Sequence, residues 1–119
     1  MSQLHRTKLW QVALPDGWRA AGDRGDVLVR FWNPQGVGTL TMLTHNKNEA
    51  PARNGHGKEF SGKLRGRTFD ISGGDLFARH WTLLCGGQWL YVHYSCAAKN
   101  AEFERTEVDE ILQSISEAV

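Results

Sequence analysis

The side chains able to do chemistry are few and widely spaced. Two cysteines, Cys85 and Cys96, five histidines and the carboxylates Asp70 and Asp75 are the candidates outside charged surface positions. Cys96 and His93 invite a nucleophile–base reading, but three positions apart on a strand they point to opposite faces, so Cys96 reads as core volume. Asp70 and Asp75 flank Gly73-Gly74, where Asp is a turn former, and nothing around them favours acid–base work. Phosphate-cradling glycine loops, serine nucleophile elbows, His-Glu-x-x-His and Cys-x-x-Cys are all missing from the sequence. Arg24-Gly25-Asp26 reads as a turn leading into the next strand. The residues therefore give no catalytic machinery, and the expected class is a binding protein without a cofactor.

One pair stands out. Leu76–Leu84 and Gln88–Ala97 alternate as strands and are joined through Gly86-Gly87, which favours a two-residue primed turn. That turn fixes the register, because loop length decides which residues oppose. Leu84 then faces Trp89, Thr82 faces Tyr91, His80 faces His93 and Ala78 faces Ser95. Phe77, Arg79, Trp81 and Leu83 fall on the other face with Leu90, Val92, Tyr94 and Cys96, which is apolar enough to be core, with Arg79 snorkelling or paired. The two imidazoles become cross-strand neighbours with Cβ atoms about 5 Å apart. Such a pair supplies part of a metal site, His80 and His93 being the ligands, with His45 or His56 as sources of a third. The alternative is two half-exposed histidines on a partner-facing surface. The cysteines lie roughly 30 Å apart along the hairpin at ~3.3 Å per residue, far beyond disulfide reach, and are expected as free thiols.

The elements that position these residues can be read from turn chemistry and periodicity. Lys8–Leu14 alternates and ends at Leu14-Pro15-Asp16-Gly17-Trp18, a strand and a turn, followed by a short excursion through Ala20–Gly25. Asp26–Trp32 is β-branched and aromatic on both faces, the pattern of a central strand covered on both sides. Asn33-Pro34-Gln35-Gly36 reads as a type I turn with Gly36 at positive φ, and Val37–Thr44 returns as its partner. Residues 45–66 lack periodicity, hold five Gly or Pro and predict a long loop with one helical turn near Lys58–Leu64. Arg67–Ser72 is a further strand. Val108, Ile111, Leu112, Ile115 and Val119 form one stripe of a terminal amphipathic helix, capped by Asn100 or by Thr106 in a box with Asp109.

At 119 residues the chain suits one domain that buries about two-thirds of its unfolded surface. The expected fold is α+β: an antiparallel sheet of about six strands flanked by a C-terminal helix. Five tryptophans are many for this length and can serve a core or an interface. Net charge is +1 but unevenly spread. His45 to Arg67 holds six Lys/Arg against two Glu, a surplus of four positive charges, while Glu102 to Val119 holds six acids against Arg105. This makes a basic loop and an acidic helix, and the acidic helix argues against nucleic acid as partner. The sequence shows no apolar run of signal-peptide or membrane-span length, so a cytoplasmic location and no membrane partner are expected.

Leu14-Pro15-Asp16-Gly17-Trp18, Phe31-x-Asn33-Pro34-x-Gly36 with Val37-Gly38-Thr39-Leu40, the late hairpin and the terminal Ile111-Leu112-x-Ser114-Ile115 together resemble the Mog/PsbP-like group of small α+β domains. The resemblance implies an antiparallel sheet flanked by helices and an accessory, chaperone or adaptor role, and it carries no functional residue over. The reading of the sequence is therefore a protein-binding accessory protein of chaperone, adaptor or toxin-immunity type. Its contact surface is His80, Thr82, Trp89, Tyr91 and His93, with Lys58 and Arg65 from the loop. A small-molecule or metal-binding domain built on the histidine pair is the alternative.

Overall fold

The computed structural model of the chain describes residues 3–23, 27–45 and 57–118. Among these are ten strands and one α-helix: β1 (Gln3–Arg6), β2 (Trp10–Leu14), β3 (Arg19–Asp23), β4 (Leu28–Trp32), β5 (Gly38–His45), β6 (Lys58–Ser61), β7 (Arg65–Gly73), β8 (Leu76–Cys85), β9 (Gln88–Ala97), α1 (Arg105–Ser114) and β10 (Ser116–Glu117). The larger sheet has seven strands in the order β3-β4-β5-β9-β8-β7-β6, and the smaller one runs β1-β2-β10. Every described pairing is antiparallel. The expected α+β fold is present, with more strands than the six anticipated.

The large sheet consists of two meanders, β3-β4-β5 and β6-β7-β8-β9, joined where β5 lies beside β9 with Leu40 opposite Tyr94. One face of this sheet makes the core. Val29, Phe31, Leu40, Met42, Trp81, Leu83, Leu90 and Val92 are almost wholly buried there against Trp10, Val12, Leu14 and Trp18 and the helix stripe Val108, Ile111 and Leu112. The stripe arises because these apolar positions recur at helical spacing. The helix stops at Ser114, short of the expected stripe: Ile115 is buried from extended backbone leading into β10, and Val119 lies outside the described residues. Helix α1 is held to β2 by Ser114 Oγ, which accepts from the Ala13 N–H at 2.9 Å, and Trp18 Nε1 donates to Glu107 at 2.9 Å. Arg79 is buried on this inner face, donating to both oxygens of Asp70, with Asp109 3.7 Å away. The guanidinium donor bonds hold the Asp70 carboxyl below the usual carboxylate range, and the same bonds raise Arg79.

Several local expectations are corrected. The excursion after Trp18 is strand β3, an edge strand that pairs with β4 despite its Ala-Ala-Gly composition. The long loop is shorter than 45–66: residues 58–61 are strand β6 rather than a helical turn, paired to β7 from Lys58↔Thr68 onward, and β7 already begins at Arg65. The backbone there is captured by a neighbour's unpaired edge, which overrides weak local preference. Residues 46–56, with His56, and Arg24-Gly25-Asp26 lie outside the described residues. Strand β4 buries Val29 and Phe31 on one side while Leu28 and Trp32 stay half-exposed, so it is covered on one face. Neither Asn100 nor Thr106 caps α1: Glu104 occupies the N-cap position with no side-chain capping bond.

The Asn33–Gly36 turn closes as expected, the Gly36 N–H donating to Asn33 O at 2.7 Å, but Gly36 is not among the positive-φ glycines. Its reason for being glycine is space. A Cβ there would run into Glu104 Oε2, and one at Gly38 would sit 2.6 Å from Tyr94 Oη. Glu104 is 2% exposed, and its Oε1 accepts from Gly38 N at 2.8 Å, Val37 N at 3.3 Å and Tyr94 Oη at 2.7 Å. Burial first, and then the bond to this carboxylate, push the Tyr94 phenol well above its ordinary pKa.

Candidate functional site

The site is built from the face of the seven-stranded sheet opposite the core. Gly86 and Gly87 take φ of 58° and 80°, as a primed two-residue turn requires. The register then runs as the turn dictates: Leu84↔Trp89, Thr82↔Tyr91, His80↔His93 and Ala78↔Ser95. Extending it through β5 and β4 places Leu43 beside Tyr91 and Leu28 beside Leu43. It also places Thr41 beside His93 and Arg30 beside Thr41. Extending it through β7 adds Arg65 beside Leu84, Arg67 beside Thr82, Phe69 beside His80 and Ile71 beside Ala78. Because side chains alternate, all of these share one face.

The helix and the smaller sheet pack on the other side, and among the described residues no layer covers this face. Leu43, Ile71, Leu84 and Leu76 are 37%, 41%, 42% and 67% exposed. Trp32, Phe69, Trp89 and Tyr91 are half-exposed around them. At the centre is an aromatic row. The Phe69 and His80 rings stack with centroids 4.9 Å apart and 8° between planes, and His93 follows at 4.4 Å from His80, tilted by 47°. A hollow of about 260 Å³ opens beside this row, lined also by Thr82 and Tyr91. Burial lowers the pKa of His93, which keeps this imidazole neutral at neutral pH.

Of the residues expected at the surface, the structure brings His80, Thr82, Trp89, Tyr91, His93 and Arg65 onto one face, with Thr82 the most buried at 7%. Lys58 does not join them. Its β7 partner in register is Thr68, on the inner side, and it borders a separate cleft with Phe60, Trp81 and Arg79. The residues missed from the sequence are Leu28, Arg30, Trp32, Leu43, Phe69 and Ile71. Their signal was the alternation itself, but using it required knowing that β5 lies beside β9. For metal, among the described residues no group of three or more His, Cys, Asp or Glu side chains is assembled to hold an ion. The two imidazoles stand as a pair. Cys85 and Cys96 are buried free thiols, and burial pushes Cys85 up to about 11, the state of an unreactive core thiol.

With this geometry in view, comparison with known proteins bears on the architecture. A crystal structure of a protein from Bacteroides thetaiotaomicron VPI-5482 superposes with a TM-score of 0.54 at 10% sequence identity, over 92% of this chain and 45% of that one. The likeness is one of fold. The chain spans less than half of that protein's length, and at this identity the match speaks to architecture and not to a shared site. No family model and no curated protein matches the chain. No described helix is long and apolar enough to cross a membrane.

Proposed function

We propose that this chain is a non-enzymatic accessory protein, of chaperone, adaptor or immunity type, that masks a surface of one protein partner with the open face of its large sheet. The observation that carries this reading is the unlayered apolar face itself. Sheets bury an apolar face against another layer, and here Trp32, Leu43, Phe69, Leu84, Trp89, Tyr91 and Ile71 are gathered on the side that α1 and the small sheet leave bare. Contiguous exposed apolar surface of this kind marks interaction sites. The resemblance of the turn motifs to the Mog/PsbP-like group agrees with an accessory role.

Trp89 and Tyr91 are large, amphipathic and already half-ordered by their neighbours, the character of interface anchors. Trp89→Ala and Tyr91→Ala are each expected to weaken partner affinity by about 2 kcal/mol or more, roughly thirtyfold, while leaving the fold intact. The measurement is affinity for the partner recovered from the native host, with wild type and both variants compared. Equal affinity in all three proteins eliminates this face. A second reading, a small ligand or metal held at the His80–His93 pair, is favoured by the hollow beside those rings. Calorimetric titration with zinc separates the two, since no heat at micromolar metal removes the metal form of that reading.

A further inference from the structure

We infer that the partner segment seated on the open face is an apolar helix bearing a carboxylate at each end. This deepens the proposed function and rests on it. Three observations lead there. First, the open face carries arginines at its flanks: Arg19 and Arg30 from β3 and β4, and Arg65 from β7, all exposed. The middle of the same face is aromatic and aliphatic. Among side chains that are described, Glu59 on β6 is an acid of this face, next to Arg67 in register, and Asp23 on the edge strand β3 stands opposite Leu28 in register. A ligand surface matching this face is apolar in the middle and negative at its ends.

Second, the register gives the spacing. Arg30 and Arg65 are separated by four strand steps across β4, β5, β9, β8 and β7, and by four residues along the strand from Phe69, which lies in the Arg30 row. At about 4.8 Å per strand and 3.3 Å per residue, the diagonal is roughly 23 Å. Its midpoint falls at Tyr91, two strand steps from each end and two residues from His93. Third, a strand laid on the face of a sheet leaves its own backbone N–H and C=O groups unpaired, whereas a helix satisfies them internally. Extended partners add to sheet edges, while faces are covered by side-chain layers. At 1.5 Å per residue, a helix covering roughly 23 Å places its two carboxylates about fifteen positions apart.

The test uses the full chain and designed probe peptides: a lactam-stapled Ala/Leu helix of about sixteen residues with Glu at both ends, and the same helix with Lys at both ends. Fluorescence anisotropy of labelled peptide is expected to show the Glu-ended probe binding about tenfold tighter than the Lys-ended one at low salt, with the difference shrinking as salt rises. Arg30→Glu combined with Arg65→Glu is expected to reverse that order, and Tyr91→Ala to weaken both probes together. Both variants fold if their urea midpoints match wild type. Equal affinity for the two probes, both lost in Tyr91→Ala, overturns the charge reading and leaves the face as a docking surface. A Glu preference that survives the double arginine change also overturns it. No binding of either probe, with saturable binding to phosphatidylglycerol vesicles instead, overturns the helical partner in favour of a lipid surface.

Discussion

Removing the buried carboxylate of Glu104 tests how the loop between β4 and β5 is tied to the start of α1. Its Oε1, on a residue 2% exposed, accepts from the part-buried N–H groups of Val37 and Gly38 and from the buried Tyr94 hydroxyl. Glu104→Ala leaves all three without an acceptor. At about 1–3 kcal/mol for each buried donor left unpaired, with partial relaxation, the expected loss is about 3–5 kcal/mol. That is a large part of the roughly 6–18 kcal/mol typical of a chain this long. Glu104→Gln keeps the accepting oxygen and loses only the charge assistance, so about 1–2 kcal/mol is expected. Urea unfolding followed by tryptophan emission reads the difference: with a slope of about 2 kcal/mol/M, the alanine variant's midpoint falls by roughly 2 M and the glutamine variant's by less than 1 M. An alanine variant within about 0.5 kcal/mol of wild type, or one no worse than the glutamine variant, would show that this carboxylate does not fasten the loop.

Gly87→Ala places a Cβ at φ 80° in open space, so the cost is backbone strain alone, about 1–2 kcal/mol, and Gly87→Asn should cost less; equilibrium unfolding of both variants checks it. Because burial depresses the pKa of His93 in the folded chain, the unfolded chain takes up that proton first. Stability is therefore complete above about pH 6.5 and declines as pH falls through the lower folded value. His93→Gln should flatten that part of a stability-versus-pH curve measured by thermal melting, with His80 and Thr41, its neighbours on β8 and β5, left in place. Cys85, pushed up to about 11 by burial, should resist a thiol reagent at pH 8 in the native protein and react fully in denaturant. Rapid native reaction of that thiol would mean that the core near Leu9 opens readily.

Much of the local architecture was legible because short-range chemistry determines it. Two glycines in succession could only make the tight turn that sets His80 opposite His93, and the apolar spacing of Val108, Ile111 and Leu112 admits one helical face, although the helix ends before Ile115. What escaped was set by distant parts of the chain. The β5–β9 pairing is not encoded by any turn, so the contributions of Arg30 and Leu43 to the open face could not be assigned from their own neighbourhoods. Strands β1, β3 and β6 carry weak patterns and become strands because an adjacent edge accepts them. Glu104 reads in the sequence as one more acid on a solvated helix. Only the approach of Val37, Gly38 and Tyr94 makes it a buried acceptor, and its closeness explains Gly36, whose role looked purely conformational.

The junction of the two meanders has a thermodynamic corollary. Leu28, Arg30 and Leu43 belong to one meander and Thr82, Tyr91, His93 and Arg65 to the other, so neither half alone presents the whole of the proposed docking surface. Whatever occupies that surface bridges the halves and must dissociate before they can part. An occupant at a hundred times its dissociation constant therefore adds about 2.7 kcal/mol to the free energy of opening. The bound partner would in effect act as a clasp across the β5–β9 joint, slowing amide exchange there before anywhere else in the sheet.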